Sequence, residues 1–472
     1  MILIDRNMKD IHRLYGINHF IQKYGIVTDT EKRIKIGIYY KDIPHDHDYE
    51  FNIEIFKNNI RGDIEGYLET DTNKVPLFER PVRLDIEGVP LAIFSNTDSE
   101  YPCVIFNSNT ILIGFDVFNE IGHILSGHLE SIWNSKVTES KELAKIPVVD
   151  YYEKILFDCL RFACDKMDVK LIHNPFWPDG KKFALCLTHD VDRVCKTYQY
   201  FTHFIKHLKN SDYSGAMNQI KSVLEKLRGN EPYWNFEDII NIENKWAAKS
   251  TFFFLNEKGK PSLSSLRTWV LFTGRYKINN PEIVKTIKEL YKQDCEIGVH
   301  GSYESYKDKT RLGNEKKELE EITGEQIQGI RQHHLNLEIP QTWRMQEDVG
   351  FKYDTTLGLK DDIGFRGGTC FPFHPFDSES EKSLKLLEIP LIIMDSALLS
   401  KENVWDECRA LIDIVENLGG VLTILWHQRV FNDNEFPNWS KIYERLIALG
   451  EERGAWITTA SEIEQWWNSR MR

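Results

Sequence analysis

From Lys181 to the carboxyl end the chain repeats one pattern, a short apolar run followed by a longer amphipathic stretch. The apolar runs fall at 183–188, 251–255, 295–299, 329–331, 386–394 and 421–426, with a last short one near Trp456. Stretches with helical spacing lie between most of them, at 236–249, 281–292, 313–322, 404–418 and 439–453. Such alternation predicts parallel strands, because each helix returns the chain to the start of the next strand. Its length suits a (β/α) barrel. Two excursions interrupt the pattern: a helical insertion at about 198–230 and an irregular segment at 256–280.

The preceding region reads differently. Residues 34–40 and 51–55 alternate like half-buried strands, whereas 115–132 and 151–162 carry apolar residues at helical spacing. Asn174-Pro175-Phe176-Trp177-Pro178-Asp179-Gly180 breaks the periodicity just before the first apolar strand. The expected organisation is therefore α/β throughout: a smaller α/β domain of unassigned role over 1–178, then a (β/α) barrel over 179–472. A total of 472 residues is too many for one ordinary domain.

Composition narrows the partners. A hydrophobic content of 41% with 16 prolines fits packed cores, not disorder. The formal charge of −13 and the lack of a dominant basic stretch argue against nucleic acid. Met1-Ile2-Leu3-Ile4 turns polar at once, and no run approaches the ~18 apolar residues of a membrane span. The eight cysteines are scattered without a Cys-x-x-Cys pair, which favours reduced thiols over a zinc ribbon or disulfide framework. The expectation is a cytoplasmic protein without a transmembrane segment. A homo-oligomer is compatible with it.

In a (β/α) barrel, chemistry collects at the carboxyl ends of the strands. Three polar clusters stand there: Thr188-His189-Asp190-Val191-Asp192, His300 after residues 295–299, and His427 after residues 421–426. The strand period of two puts Asp190 and Asp192 on one side. Carboxylates that close repel unless a cation or proton sits between them, so a divalent metal is the simplest answer. Taken singly, the aspartates could cap backbone amides and each histidine could be structural. Together, at strand ends of one alternating fold, they point to metal chemistry.

These residues resemble a known family, the polysaccharide deacetylases of carbohydrate esterase family 4, also called the NodB-homology domain. Thr188 to Asp192 looks like its first motif, and Lys249-Ser250-Thr251-Phe252-Phe253-Phe254 is similar to its second-strand signature. Glu296-Ile297-Gly298-Val299-His300-Gly301-Ser302 resembles its metal-histidine motif. Gly329-Ile330-Arg331-Gln332-His333 and Leu425-Trp426-His427 stand where it has its arginine and last-histidine motifs. The resemblance covers about residues 181–467 and rests on the order of the motifs.

It implies Asp190 as general base, Asp192 and His300 as metal ligands, and Arg331 as the group that steadies Asp190. His427 would be the general acid, with Asp354 a partner for its imidazole. A divalent metal, zinc by ligand type, would activate water and polarise the acyl oxygen. One departure stands out: the family's second histidine ligand, four residues after the first, is Glu304 here. Either Glu304 ligates through oxygen, or the third ligand is His333 or His334, of which His333 is preferred.

The resemblance implies a hydrolase that removes N-acetyl groups from an amino sugar or saccharide intermediate. Two alternatives share the fold: a hydrolase of a small cyclic amide or formamide, and a carbohydrate-binding or scaffold protein without catalysis. The glycine- and aromatic-rich stretch 364–376 reads either as an acceptor-site wall or as a packed connecting loop. His45-Asp46-His47-Asp48 reads as a solvated loop.

Overall fold

A computed structural model of the chain describes residues 2–470 apart from 7–8, 26, 29–34, 43–47, 61–62, 71–72, 136–141 and 263–265. His45, Asp46 and His47 lie outside the described residues. The chain divides into two compact units: Met1–Phe176 with Phe365–Leu384 and Trp467–Arg472, and Trp177–Gly364 with Lys385–Trp466. The passage from one to the other falls inside the Asn174–Gly180 stretch. The second unit is interrupted, because residues 365–384 and 467–472 belong to the first.

The first unit is built on an eight-stranded mixed sheet. Ile2–Ile4, Ile36–Tyr40, Phe51–Ile55 and Thr110–Ile113 run parallel; Glu100–Asn107, Val89–Ser95, Gly66–Glu69 and Lys74–Leu77 extend it antiparallel. The Ile11–Tyr24 and Val117–Leu125 helices come unusually close because glycines meet the opposite backbone: a Cβ on Gly16 would lie 2.1 Å from the Phe118 oxygen. In its interior Lys23 Nζ donates to Asp150 Oδ1 at 2.8 Å and Glu153 Oε2 at 2.6 Å. Asp150 also accepts from the Cys370 amide and the Thr369 hydroxyl, both at 2.8 Å, and Lys23 Nζ sits 3.7 Å above the Phe371 ring. These bonds explain why the 365–384 segment belongs to this unit. Phe365, Phe371 and Phe373 are buried, so the aromatic stretch packs as core.

Among the described residues the second unit contains nine parallel strands. Its main path runs Leu387–Glu388, Tyr353–Asp354, Gly329–Gln332, Glu296–Gly301, Thr251–Leu255, Phe183–Val191, Val421–Leu425, Leu391–Met394, and Ala455–Thr458 also pairs with Phe183–Val191. All nine residues of Phe183–Val191 are buried, as are all five of Thr251–Leu255 and of Val421–Leu425. Unbroken apolar runs are what a sheet covered on both faces requires. The covering helices are amphipathic. Pro281 opens Pro281–Lys292, Asn280 accepts from the Glu282 amide at 2.9 Å, and Ile283, Ile287 and Leu290 face inward.

The sequence reading of 386–394 as a single strand is corrected. Ile389-Pro390 splits it into Leu387–Glu388 and Leu391–Met394, and proline cannot donate to a ladder. Those two pieces lie at opposite ends of the main path, yet only two residues separate them in sequence. Chain reach of about 3.5 Å per residue then forces the sheet to curl until its ends approach. The result is a distorted (β/α) barrel, joined at its seam by chain continuity.

The 198–230 insertion forms the helices Gln199–Lys209 and Tyr213–Leu227, and the 256–280 excursion contains a helix at Leu266–Phe272. All eight cysteines are free, and seven are buried. Among the described residues no helix is long and apolar enough to cross a membrane.

Candidate metal and hydrolytic site

The site grows from the carboxyl ends of neighbouring barrel strands. Strand alternation sends Thr188, Asp190 and Asp192 to one side and His189 to the other. There His189 bonds the Trp426 carbonyl at 2.6 Å and Glu243 Oε1 at 2.9 Å, which marks it as a structural histidine. His300 ends the Glu296–Gly301 strand, whose close fit needs glycine: a Cβ on Gly298 would lie 2.5 Å from the Phe253 ring. In the register of the next ladder His300 is level with Arg331. His333 follows that strand, and His427 follows Val421–Leu425.

Asp192, His300 and His333 offer ligand atoms that all lie within 4.8 Å of one another, and all three residues are buried. His300 Nε2 and His333 Nε2 each stand 3.3 Å from Asp192 Oδ1. That oxygen is buried and accepts no hydrogen bond among the described residues. Zinc bonds of ~2.0–2.1 Å at a tetrahedral angle put neighbouring ligand atoms about 3.3 Å apart. The donor set and spacing therefore fit a small divalent cation.

The tautomers agree with this. The His300 Nδ1 lies 2.9 Å from the Arg331 carbonyl, which can only accept, so Nδ1 carries a proton and Nε2 is the nitrogen that faces the carboxylates; burial lowers this imidazole's pKa, but Asp190 and Asp192 bring the net shift upward. Burial lowers the His333 imidazole pKa, and Arg275 and His300 depress it further, well below the ordinary value despite Asp192. It is therefore neutral near pH 7, as a ligand must be. Burial alone would raise the Asp192 carboxyl, but His333 (while its ring is still protonated in acid), His300 and Arg275 hold it well below the usual range.

Asp190 flanks this group. Arg331 Nη1 donates to Asp190 Oδ1 at 3.0 Å and to Thr188 Oγ1 at 2.7 Å, and Nε donates to the Thr355 carbonyl at 3.0 Å. Asp190 Oδ2 is 3.6 Å from His300 Nε2. On the other flank, His427 Nε2 lies 3.7 Å from Asp192 Oδ2.

The partner of His427 is not Asp354. Asp395 grips it twice, accepting from the His427 amide and from Nδ1, both at 2.7 Å. Sheet order explains the difference. The strand that ends at Met394 is the ladder neighbour of the one leading to His427, whereas Tyr353–Asp354 is not paired with it and lies between Gly329–Gln332 and Leu387–Glu388. Asp354 instead accepts from Trp343 Nε1 at 3.2 Å and lies level with Glu388. Burial pushes the Asp354 carboxyl up to about 6 and raises Glu388 well above its ordinary value. For His427, burial lowers the pKa, but Asp395, through its charge and its hydrogen bond, and Asp192 raise it, and the net shift is upward.

Glu304 does not join the cluster. Its carboxylate pairs with Lys307 at 2.8 Å, and its side chain is 40% exposed. His334 is exposed and occupies a left-handed turn, φ 58°. Sequence reading passed over Asp395, although an aspartate directly after the 386–394 apolar run stands at a strand end like the others. It also passed over Arg275 and Arg429. Arg275 Nη2 lies 3.3 Å from His333 Nε2 and Nη1 donates to the Asp192 carbonyl at 3.0 Å; Arg429 Nη1 lies 3.9 Å from Asp192 Oδ2. Both come from irregular segments whose positions no periodicity sets.

No family model and no curated protein matches the chain. Among solved structures it is similar to a probable polysaccharide deacetylase from Pseudomonas aeruginosa PAO1, 16% identical, covering 62% of this chain and 94% of that one, with a TM-score of 0.42. It is similar to PuuE allantoinase at 14% identity, 62% and 93% coverage and a TM-score of 0.40. A CE4 family pseudoenzyme from Bacillus anthracis aligns at 12% identity, 61% and 66% coverage and a TM-score of 0.30.

Proposed function

We propose that the chain is a metal-dependent hydrolase that removes an N-acetyl group from an amino sugar or saccharide intermediate in the cytoplasm. The observation that carries this reading is the flanking of Asp192, His300 and His333 by two oppositely equipped groups. Asp190 is held by an arginine and His427 by a carboxylate. Asp192, His300 and His333 would hold the cation, zinc by donor type. When bound it would supply Lewis-acid chemistry to water and to the acyl oxygen.

The remaining steps belong to the chain's own groups. Asp190 takes a proton from the attacking water, and Arg331 fixes the carboxylate that must do so. His427, kept protonated by Asp395, gives a proton to the departing nitrogen as the C–N bond breaks. Water's hydroxyl ends on the acyl carbon and its proton equivalent on the amine, so acetate and free amine leave. Purified protein incubated with N-acetylhexosamine substrates should release acetate. Chelator should stop that release, and Asp190→Asn should lower it by about 10²-fold or more. Unchanged release by Asp190→Asn removes Asp190 from the reaction.

A second reading is favoured by Arg275, whose guanidinium already points a positive charge at the His333 lone pair. On that reading the site binds carbohydrate without metal or catalysis. Saccharide binding by metal-free protein that releases no acetate separates the two.

A further inference from the structure

The helix Tyr213–Leu227 carries its polar face inward. Ala216, Gln219 and Ser222 are its buried residues. The inward side chains receive Lys196, whose Nζ donates to Gln219 Oε1 at 2.6 Å and Ser222 Oγ at 3.2 Å, and also bonds Glu435. The outward face carries Tyr213, Met217, Ile220, Leu224 and Leu227, all exposed, with Leu227 at 78% and Tyr213 at 74%. Their spacing of four, three, four and three residues makes one straight stripe along the helix. The preceding helix, Gln199–Lys209, adds exposed Phe201 and Leu208. Water-facing apolar surface of this extent marks a face that is covered by something.

Charge says what covers it. Residues 199–230 hold Lys206, Lys209, Lys221, Lys226 and Arg228 against Asp212 and Glu225, in a chain whose formal charge is −13; Lys226 pairs with Glu231, which leaves the other four basic groups in excess. Lys221 and Arg228 follow Ile220 and Leu227 directly, so both border the same side of the stripe. If a second copy laid its stripe antiparallel on this one, those two basic flanks would face each other. An anionic surface has the complementary sign. We infer that the 199–230 hairpin is a bilayer-docking surface: its apolar stripe enters the headgroup boundary of an acidic leaflet and the flanking Lys221 and Arg228 meet the lipid phosphates. Lys196, Gln219, Ser222 and Glu435 hold the hairpin's polar side to the barrel unit, so the stripe is presented outward without unfolding. This inference does not depend on the hydrolytic reading.

The test is co-sedimentation of the full chain with vesicles of phosphatidylcholine alone and of phosphatidylcholine with phosphatidylglycerol in equal parts. The chain should pellet with the acidic vesicles, and about 0.5 M salt should release most of it. Met217→Gln/Leu224→Gln and Lys221→Glu/Arg228→Glu should each weaken binding about tenfold or more. All four substituted side chains are exposed, and an unchanged circular dichroism spectrum verifies that the variants fold. Failure of the parent chain to pellet with acidic vesicles, or equal pelleting by parent and both variants, overturns the inference. A dimer in solution that Met217→Gln/Leu224→Gln dissolves, with no vesicle binding by the parent, also overturns it and assigns the stripe to a second copy.

Discussion

At the scale of single residues, the site depends on which group each polar atom faces. Asp395 holds both the backbone and the ring of His427; burial lowers the imidazole pKa, and the charge and hydrogen bond of Asp395, with the charge of Asp192, bring the net shift above the ordinary value. A histidine that must donate a proton loses that capacity as pH rises through its pKa. Asp395→Asn removes the raising charge and leaves the burial that lowers the pKa. The alkaline limb of the kcat/KM profile should therefore move to lower pH, while Asp354→Asn should leave the limb in place. Asp190, Asp192, His300 and His427 could be singled out because each stands at the end of an apolar run, whereas Arg331 came only from the family resemblance. The choice between Glu304 and His333 was not, because it depends on a turn that aims one side chain outward to Lys307 and the other inward to Asp192.

At the scale of elements, the strands were legible wherever burial on both faces left an unbroken apolar run, as at Thr251–Leu255. Helices with regular apolar spacing were equally plain; Pro281–Lys292 and Val404–Leu418 match theirs end to end. The split at Ile389-Pro390 was hidden because both halves are apolar, although the proline signalled it. Close approach between strands is a second hidden layer. The Phe253 ring lies beneath Gly298 and also 4.8 Å from the Arg331 guanidinium. Gly298→Ala must push that ring, so urea unfolding should show a loss of about 1–3 kcal/mol. An unchanged midpoint would mean that the ring moves freely and that the strand is not fitted against it.

At the scale of the whole molecule, two units draw their stability from different sources. The barrel unit rests on apolar strands under amphipathic helices, a pattern that sequence periodicity exposes. The other unit buries Lys23 between Asp150 and Glu153, and binds the distant 369–371 segment to the same aspartate. No local pattern announces a pairing across more than two hundred residues. Asp150→Ala would leave a buried ammonium and a backbone amide without that acceptor, a loss of about 3–5 kcal/mol in chemical denaturation. Lys182→Ala, which removes an exposed pair with Glu416, should stay within about 0.5 kcal/mol of the parent. The metal proposal is tested most directly by anomalous scattering at the zinc edge from crystals grown with zinc. The prediction is one peak within bonding distance of Asp192, His300 and His333, lost in His333→Ala and kept in Glu304→Ala. No peak there, or a peak that survives His333→Ala and vanishes in Glu304→Ala, would contradict it.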